Sequence, residues 1–398
     1  MCGFVAVINS DQNKDNLILA FNKLKKINSH RGPDEIKTLH KKNFSLLFRR
    51  LSIIDINKRS SQPFSSDDGK INLVFNGEIY NYLEIKEELK KKNFKFKTFS
   101  DTEVVLKSYE YWGASFVKRL RGMFSIVILD DRKKKYFCFR DRLGQKPLYY
   151  SKYLNGLIIS SEIKDIIFFK KKVIKENTNT VEKYLIRGWC DDSEKTFFSD
   201  ISSFPAGSVG IINKLSLKIS KYWKLEIKDN KNFNKDEFDE IFTDNLKIHL
   251  RSDVPIAFTL SGGLDSSSLV KKSLDYNFSK NKAFSLISKN KKENDEKKFI
   301  DEFIRLNSIK HSYLNLQKKI DKNILEKVIF FQDEPIGSTS FLNQFLLRKK
   351  IHSQGFKVLM VGEGGDEVLG GYNRMFVPYL YNIFIKNGKN IPKEIKKN

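Results

Sequence analysis

From Phe4 onwards the chain reads as short apolar or alternating runs, each closed by glycine, aspartate, asparagine or lysine. FVAVI (4–8), FSLLFRRLSII (44–54), INLVFNGEIY (71–80), MFSIVILD (123–130), KYFCFRD (135–141) and GLIISSE (156–162) are the clearest. Runs of this length between turn residues predict strands. Two helical stretches interrupt them. One is Leu83 to Lys92, rich in Glu and Lys; the other follows Ser100-Asp101-Thr102-Glu103, an N-cap sequence ahead of an apolar run. Residues 1–215 are therefore expected to form a layered α+β sandwich with sheets packed face to face.

The rhythm then changes. The polar stretch KLEIKDNKNFNKD (224–236) reads as a linker. Beyond it come an amphipathic helix over Glu237 to Leu250, the strand VPIAFTL, a glycine turn and a helix. AFSLIS is a second strand, Glu296 to Leu306 a helix, and VLMV a third buried strand. Strands alternating with helices predict a parallel sheet joined by right-handed crossovers, so residues 232–398 are expected to be an α/β domain.

Composition narrows the function classes. At 398 residues with 40% hydrophobic and 30% charged positions, the chain can bury two cores beneath a charged surface. It has no apolar run of about 18 residues, so no membrane partner is expected. Cys2, Cys138 and Cys190 are odd in number and irregularly spaced, which points to a reducing, cytoplasmic compartment. The five histidines show no metal-ligand spacing. The net charge of +25 raises nucleic acid as a partner. The lysines, however, fall in scattered clusters such as Lys90–Lys92, Lys133–Lys135 and Lys170–Lys172, with no nucleic-acid-binding motif beside them. No nucleic-acid partner is expected.

Candidate chemistry begins at the second residue. A small residue after Met1 favours removal of the methionine. Cys2 would then carry a free α-amine of pKa roughly 7.7–8.0 beside its own thiol, a nucleophile with a built-in general base. A second site is SGGLDSS, residues Ser261, Gly262, Gly263, Leu264, Asp265, Ser266 and Ser267, between a strand and a helix. Glycines let backbone N–H groups approach a phosphate, the helix N-terminus adds positive partial charge, and Asp265 makes sense if Mg²⁺ bridges it to the phosphate. GEGGDE (362–367), after VLMV, is a second acidic glycine loop at a strand's carboxyl end, with Glu363 and Asp366 available for metal or proton work.

SGGLDSS is similar to the loop of the PP-loop ATP pyrophosphatases. As a whole the sequence resembles glutamine-dependent asparagine synthetases, whose glutaminase half is a class II, N-terminal-nucleophile amidotransferase. The marks are MCGF, HRGPD (30–34), RRLSIID (49–55), FNGEIYN (75–81), SDTE (100–103), RGMFS (121–125), RDRLGQKPLYY (140–150), FPAG (204–207), SDVPIAFTLSGGLDSS, DEP (333–335) and GEGGDEVLGGY.

That resemblance implies an N-terminal-nucleophile sandwich followed by a partial PP-loop parallel-sheet domain. It implies Cys2 as nucleophile, with Asn76 and Gly77 as oxyanion hole. Arg50 would take the glutamine carboxylate and Asp101 its amine, and Leu51, Ser52, Ile53, Ile54, Asn76, Gly77 and Glu78 would line the pocket. It further implies ATP and Mg²⁺. The loop 261–267 would hold pyrophosphate, and Leu260, Leu286, Val361 and Gly362 would contact the nucleotide. Asp265 and Asp366 would hold the metal, and Glu363 would act on the acyl-adenylate. The product expected is asparagine. The alternatives are amidation of another carboxylate, such as a sugar acid, or a glutaminase whose second half serves a partner. Family members continue past residue 398, so the synthetase wall is expected to be incomplete and apolar surface near Tyr379-Leu380-Tyr381 to be exposed. A homodimer or a completing chain would cover it.

Overall fold

The run GFVAVI lacks a polar side because both faces of the strand it forms are covered. Phe4, Ala6 and Ile8 face one cluster and Val5 and Val7 another, all at most 1% exposed. This computed structural model describes residues 1–398 apart from 28, 171–173, 190, 214–215, 227–232, 277–279, 288–294, 316–320 and 387–398. Cys190, the middle of the expected linker, most of the Lys170–Lys172 cluster and the lysine-rich C-terminal stretch lie outside the described residues. The chain divides into two compact units, Met1–Val254 with Lys318–Leu346, and Pro255–Gln317 with Leu347–Asn398.

The strands of the first unit, in chain order, begin with β1 Gly3–Ile8, β2 Glu35–His40, β3 Phe44–Arg50, β4 Phe64–Ser65, β5 Ile71–Ile79 and β6 Gly122–Asp130. They continue with β7 Lys135–Arg140, β8 Tyr149–Tyr153, β9 Gly156–Ser160, β10 Ser202–Ser203, β11 Ser208–Asn213 and β12 Ser216–Lys221. They make two antiparallel sheets, ordered β10-β8-β9-β1-β3-β2 and β12-β11-β7-β6-β5-β4.

The sheets face each other across Phe4, Ala6, Phe44, Leu46 and Phe48 on one side and Val74, Val127, Leu129 and Cys138 on the other. Helices Lys14–Ile27 and Ile163–Lys170 cover the outer face of the first sheet. Helices Tyr82–Lys90 and Asp101–Trp112 cover the second. The result is the layered helix–sheet–sheet–helix sandwich expected from the N-terminal half. Burial of apolar side chains on both faces of each sheet supplies its main driving force.

One expected strand stops early. β3 ends at Arg50, and Leu51–Ile54 is loop rather than a continuation of FSLLFRRLSII. The chain turns because the Arg50 guanidinium holds the carbonyls of Asp55 (Nη2, 2.5 Å) and Asn57 (Nη1, 2.8 Å), and because the Leu51 N–H goes to a thiol instead of a ladder partner.

The second unit carries β13 Ile256–Thr259, β14 Lys282–Ile287, β15 His311–Asn315 and β16 Val358–Met360, all parallel, in the order β15-β14-β13-β16. Ala257, Phe284, Leu347 and Ile351 form its core. The chain adds β14 and β15 on one side of β13 and then returns to add β16 on the other. The order therefore reverses between β13 and β16, and a crevice at the carboxyl ends of such strands is where open α/β sheets bind ligands. Tyr379, Leu380 and Tyr381, on the helix Asn373–Lys386, are exposed. Among the described residues, no helix is long and apolar enough to cross a membrane.

Candidate active site

Cys2 is held where β1 begins. Its Sγ accepts the Leu51 N–H at 3.3 Å and lies 3.6 Å from the Leu51 carbonyl oxygen. The Cys2 carbonyl accepts from Arg31 Nε at 3.1 Å, and a Cβ on Gly3 would come within 2.8 Å of Arg31 Cδ. Glycine after the cysteine therefore lets an arginine lie flat against the start of the chain. Burial pushes the thiol up, partly opposed by the Leu51 hydrogen bond and by the positive charges of the N-terminus and Lys146. A thiol so placed is neutral at rest and requires a base to become a nucleophile. Burial also pulls the Met1 α-ammonium down to about 5. The Met1 amine is therefore uncharged at neutral pH.

β5 carries the next group. Asn76 is 1% exposed, and among the described residues neither its Nδ2 nor its Oδ1 has a hydrogen-bond partner. A buried amide left unpaired costs of order 1–3 kcal/mol, so the fold carries a stability deficit at this side chain. Gln62 grips the peptide of the preceding Phe75 through both its amide atoms, which fixes the strand there. At Gly77 a Cβ would sit 2.0 Å from the Met123 carbonyl oxygen, so only glycine lets β6 approach.

Burial also marks the two acids expected at the glutamine pocket. Asp101, at the start of helix Asp101–Trp112, is pushed up to about 6 by burial, although it accepts the Ile79 N–H at 3.1 Å. Burial pushes Glu78 up to about 7. Cys2 and Glu78 both feel the charges of Asp101 and Lys146, and Asp101 feels that of Arg50. The structure thus gathers these groups around one end of β1. Arg50 is 6% exposed. Ser52 donates its N–H to Asp34 Oδ2 at 2.7 Å, so the aspartate of HRGPD fastens the same segment.

Several contributors lay inside quoted motifs without a role assigned to them. Lys146, of RDRLGQKPLYY, is a buried ammonium 3.5 Å from Met1 Sδ; burial holds it below its usual value while Glu78 opposes that shift. Asp141 receives four backbone N–H groups, from Phe124, Leu143, Gln145 and Lys146, and thereby shapes that loop. Asp333 and Glu334, of DEP, fasten the segment 318–346 within the first unit. Asp333 accepts the Ile163 N–H at 2.8 Å and pairs with Lys164 Nζ at 2.7 Å, and Glu334 accepts the Phe197 N–H at 2.9 Å. The motif signalled that these residues matter, but position alone could not say to what they bond.

In the second unit, SGGLDSS follows β13 and GEGGDE follows β16, so both glycine loops lie at the point where the strand order reverses. Leu260, beyond the end of β13, donates its N–H to the Phe284 carbonyl at 2.9 Å, and Ser285 Oγ donates to the Leu260 carbonyl. Leu286 lies near the end of β14, and Val361 and Gly362 follow β16 directly. Ser266 folds back into its own loop, taking the Ser261 N–H at 3.1 Å and contacting Ser261 Oγ at 2.9 Å. Gly262 has φ +84, open to glycine at little cost. Gly263 is the N-cap of the helix Leu264–Ser273; Leu264 is exposed and Ser267 N–H bonds to the Gly263 carbonyl.

The two loops touch. A Cβ on Gly362 would lie 3.1 Å from the Ser266 nitrogen, and one on Gly365 would lie 2.3 Å from Asp265 Oδ2. Glu363 and Asp366 are exposed beside them. Among the described residues, no group of three His, Cys, Asp or Glu side chains forms a metal cluster. One or two carboxylates plus substrate phosphates are the usual holders of Mg²⁺. Asp265, seated against the second loop at a helix N-terminus, fits that donor set.

Comparison with known proteins agrees with this geometry. Residues 1–223 match the glutamine amidotransferase domain family, and residues 237–387 match the asparagine synthase family. A Methanocaldococcus jannaschii protein, provisionally named asparagine synthetase (glutamine-hydrolyzing) 2, is 34% identical over 94% of this chain and 76% of its own. Asparagine synthetase (glutamine-hydrolyzing) 1 of Bacillus subtilis is 30% identical over 100% of this chain and 62% of its own. The amidase chry2 of Gibberella zeae is 32% identical over 87% of this chain and 54% of its own. The chain thus spans between about half and three quarters of the length of these relatives. Two family matches in tandem, with relatives across most of its length, show that the chain belongs to the glutamine-hydrolysing asparagine synthetase family, whose members are ATP-using ligases.

Proposed function

We propose that the chain makes asparagine from aspartate, glutamine and ATP. Residues 1–215 would carry the glutaminase and 232–398 the synthetase part. The observation that carries the first half is the buried Asn76 amide without a partner, in a sandwich whose β1 begins at a thiol. A fold that leaves a donor unpaired at that cost is preorganised for charge that develops only during reaction.

Arg50 binds the α-carboxylate of glutamine and Asp101, as the anion, its ammonium, within walls from Leu51 to Ile54 and at Glu78. After loss of Met1, the α-amine of Cys2 takes the thiol proton, and Sγ attacks the side-chain amide carbon. The oxyanion rests on the Asn76 side chain and the Gly77 N–H. The proton passes to the departing nitrogen, which leaves as ammonia, and water cleaves the thioester to glutamate. The Leu51 N–H that holds Sγ at rest fixes the direction of attack.

In the second half, the aspartate β-carboxylate displaces pyrophosphate from the α-phosphorus of ATP. Pyrophosphate is received by those backbone N–H groups of the loop 261–267 that are not turned inward and by the hydroxyl of Ser267, while Ser266 braces the loop. Leu260, Leu286, Val361 and Gly362 line the nucleotide side. Ammonia attacks the acyl-adenylate and AMP leaves, with Glu363 placed to take the proton lost by the incoming nitrogen. Mg²⁺, held by Asp265 and Asp366, would neutralise phosphate charge when bound.

The relatives named as amidases motivate a second acceptor reading, in which another carboxylate replaces aspartate. One assay tests both: the purified chain with glutamine, ATP, Mg²⁺ and aspartate, following glutamate, AMP with pyrophosphate, and asparagine. All three products support the asparagine reading. Glutamate without asparagine sinks it and directs the search to other acids or to a completing partner.

A further inference from the structure

The glutamine-pocket segment is tied to a residue 198 positions further along the chain. Asp253 Oδ2 accepts the Asp55 N–H at 2.7 Å. In return, the Asp253 N–H donates to the Ile53 carbonyl at 3.1 Å. These two bonds close a ring around Ile53–Asp55.

The backbone held in this way is not an ordinary one. Asp55 has φ +44, a left-handed conformation uncommon outside glycine, though aspartate tolerates it better than most residues. Its side chain is already engaged by Ser60, Asn57, Arg59 and the Phe99 N–H. Its carbonyl is the acceptor that fixes Arg50 Nη2. The direction of the Arg50 fork therefore depends on the backbone at Asp55, and Asp253 holds the N–H side of that residue.

The neighbours of Asp253 act on the opposite wall. Arg251 Nη1 donates to the Tyr80 carbonyl at 2.7 Å, and its guanidinium pairs with the Glu84 carboxylate. The His249 ring lies 3.8 Å from the Tyr80 ring, centroid to centroid. Tyr80 follows directly on the strand that carries Asn76, Gly77 and Glu78. Residues 249–253 thus grip both stretches that frame the pocket, although they belong to the stretch matched by the asparagine synthase family.

We propose that Asp253 is a positioning residue for glutamine binding: it aims Arg50 through the backbone at Asp55. The inference rests on the reading that Arg50 receives the glutamine carboxylate.

The test uses the full chain and its Asp253→Ala and Asp253→Asn variants. Glutamate release is measured against glutamine concentration. In parallel, Cys2 is alkylated with iodoacetamide, a probe without the α-carboxylate that Arg50 would hold. Asp253→Ala is expected to raise the KM for glutamine about tenfold or more, the scale of one lost hydrogen bond to a charged group. Its kcat and its alkylation rate stay within about twofold of the parent. Asp253→Asn, which keeps an oxygen for the Asp55 N–H, recovers most of the KM. An unchanged KM in Asp253→Ala overturns the inference, as does a loss of kcat and alkylation together, which marks general collapse of the fold. A parent chain that releases no glutamate removes the glutaminase reading itself, and the inference with it.

Discussion

Cys2 Sγ lies 3.3 Å from the backbone nitrogen of Leu51, the first residue past the end of β3. The N–H of the residue just past a strand end thereby goes to a thiol instead of to a ladder partner. Cys2→Ala is expected to lower glutamine-dependent glutamate release by about 10³-fold or more, since the proposed mechanism forms its covalent intermediate on this thiol. Amide formation from added ammonium salt stays near the parent rate. Retention of glutamine-dependent turnover in this variant would show that the nucleophile lies elsewhere.

Asn76→Ala separates function from stability. Loss of one oxyanion donor costs roughly 10²–10³ in kcat. The same substitution removes two buried polar atoms that have no partner among the described residues, a gain that offsets the cavity it leaves, so the variant is expected to melt within a few degrees of the parent. A drop in Tm of several degrees would mean that the amide is bonded in solution and is not held in reserve. Kinetics and differential scanning calorimetry read the two effects independently.

The pH profile follows from Asp101. Burial raises its carboxyl from 3.8 to about 6, while the Ile79 N–H pulls the other way. Below about pH 6 the free chain holds a proton on Asp101, the carboxylate proposed to meet the substrate ammonium. The kcat/KM for glutamine should then fall about tenfold per pH unit, and glutamine binding near pH 6 should release a proton. The sign for folding is the reverse of the usual carboxylate case. The folded chain binds more protons than the unfolded chain between about pH 4 and 6, so Asp101 costs stability as pH rises through that window. Asp101→Asn should abolish the proton release measured by calorimetry in two buffers. Unchanged release would place the titrating group elsewhere.

Gly365→Ala addresses the other site. A methyl group there would lie 2.3 Å from Asp265 Oδ2 and must displace that carboxylate. ATP–pyrophosphate exchange is expected to fall by at least about tenfold, with glutamate release in the absence of ATP unchanged. Exchange at the parent rate would show that Asp265 does not need its place against the second loop.

Much of this was legible in the sequence, and for identifiable reasons. GFVAVI and MFSIVILD are apolar at successive positions because both faces of β1 and β6 are covered, and a run of that kind has few alternatives. SGGLDSS and GEGGDE were legible because glycines and carboxylates after an apolar run mark strand ends. FSLLFRRLSII misled at its end, since nothing in the apolar pattern reveals that Arg50 turns back on the Asp55 and Asn57 carbonyls. β2, β8, β12 and β15 escape the apolar pattern because they are only partly buried and their polar positions resemble loop; β11 escapes it because Ser208 and Gly210 fill two of its buried positions, and β4 and β10 because each is two residues long. Lys146 and Asp253 stood in recognisable motifs, but their roles arise from contacts across 145 and 198 residues, which local patterning does not encode.

The anchorage of Asp333 and Glu334 bears on how such a protein can be divided. Cutting the chain at its polar stretch near residue 230 would not yield two self-sufficient modules. The upstream fragment would lose the carboxylates that cap the Ile163 and Phe197 amides, and the aromatic pair Phe330–Phe331 that packs against His30. The downstream fragment would carry those groups away with nothing to engage. A gene fission or domain exchange at that joint would therefore have to repair a seam some hundred residues downstream, so the two family-matched parts are expected to be inherited and engineered as a single unit.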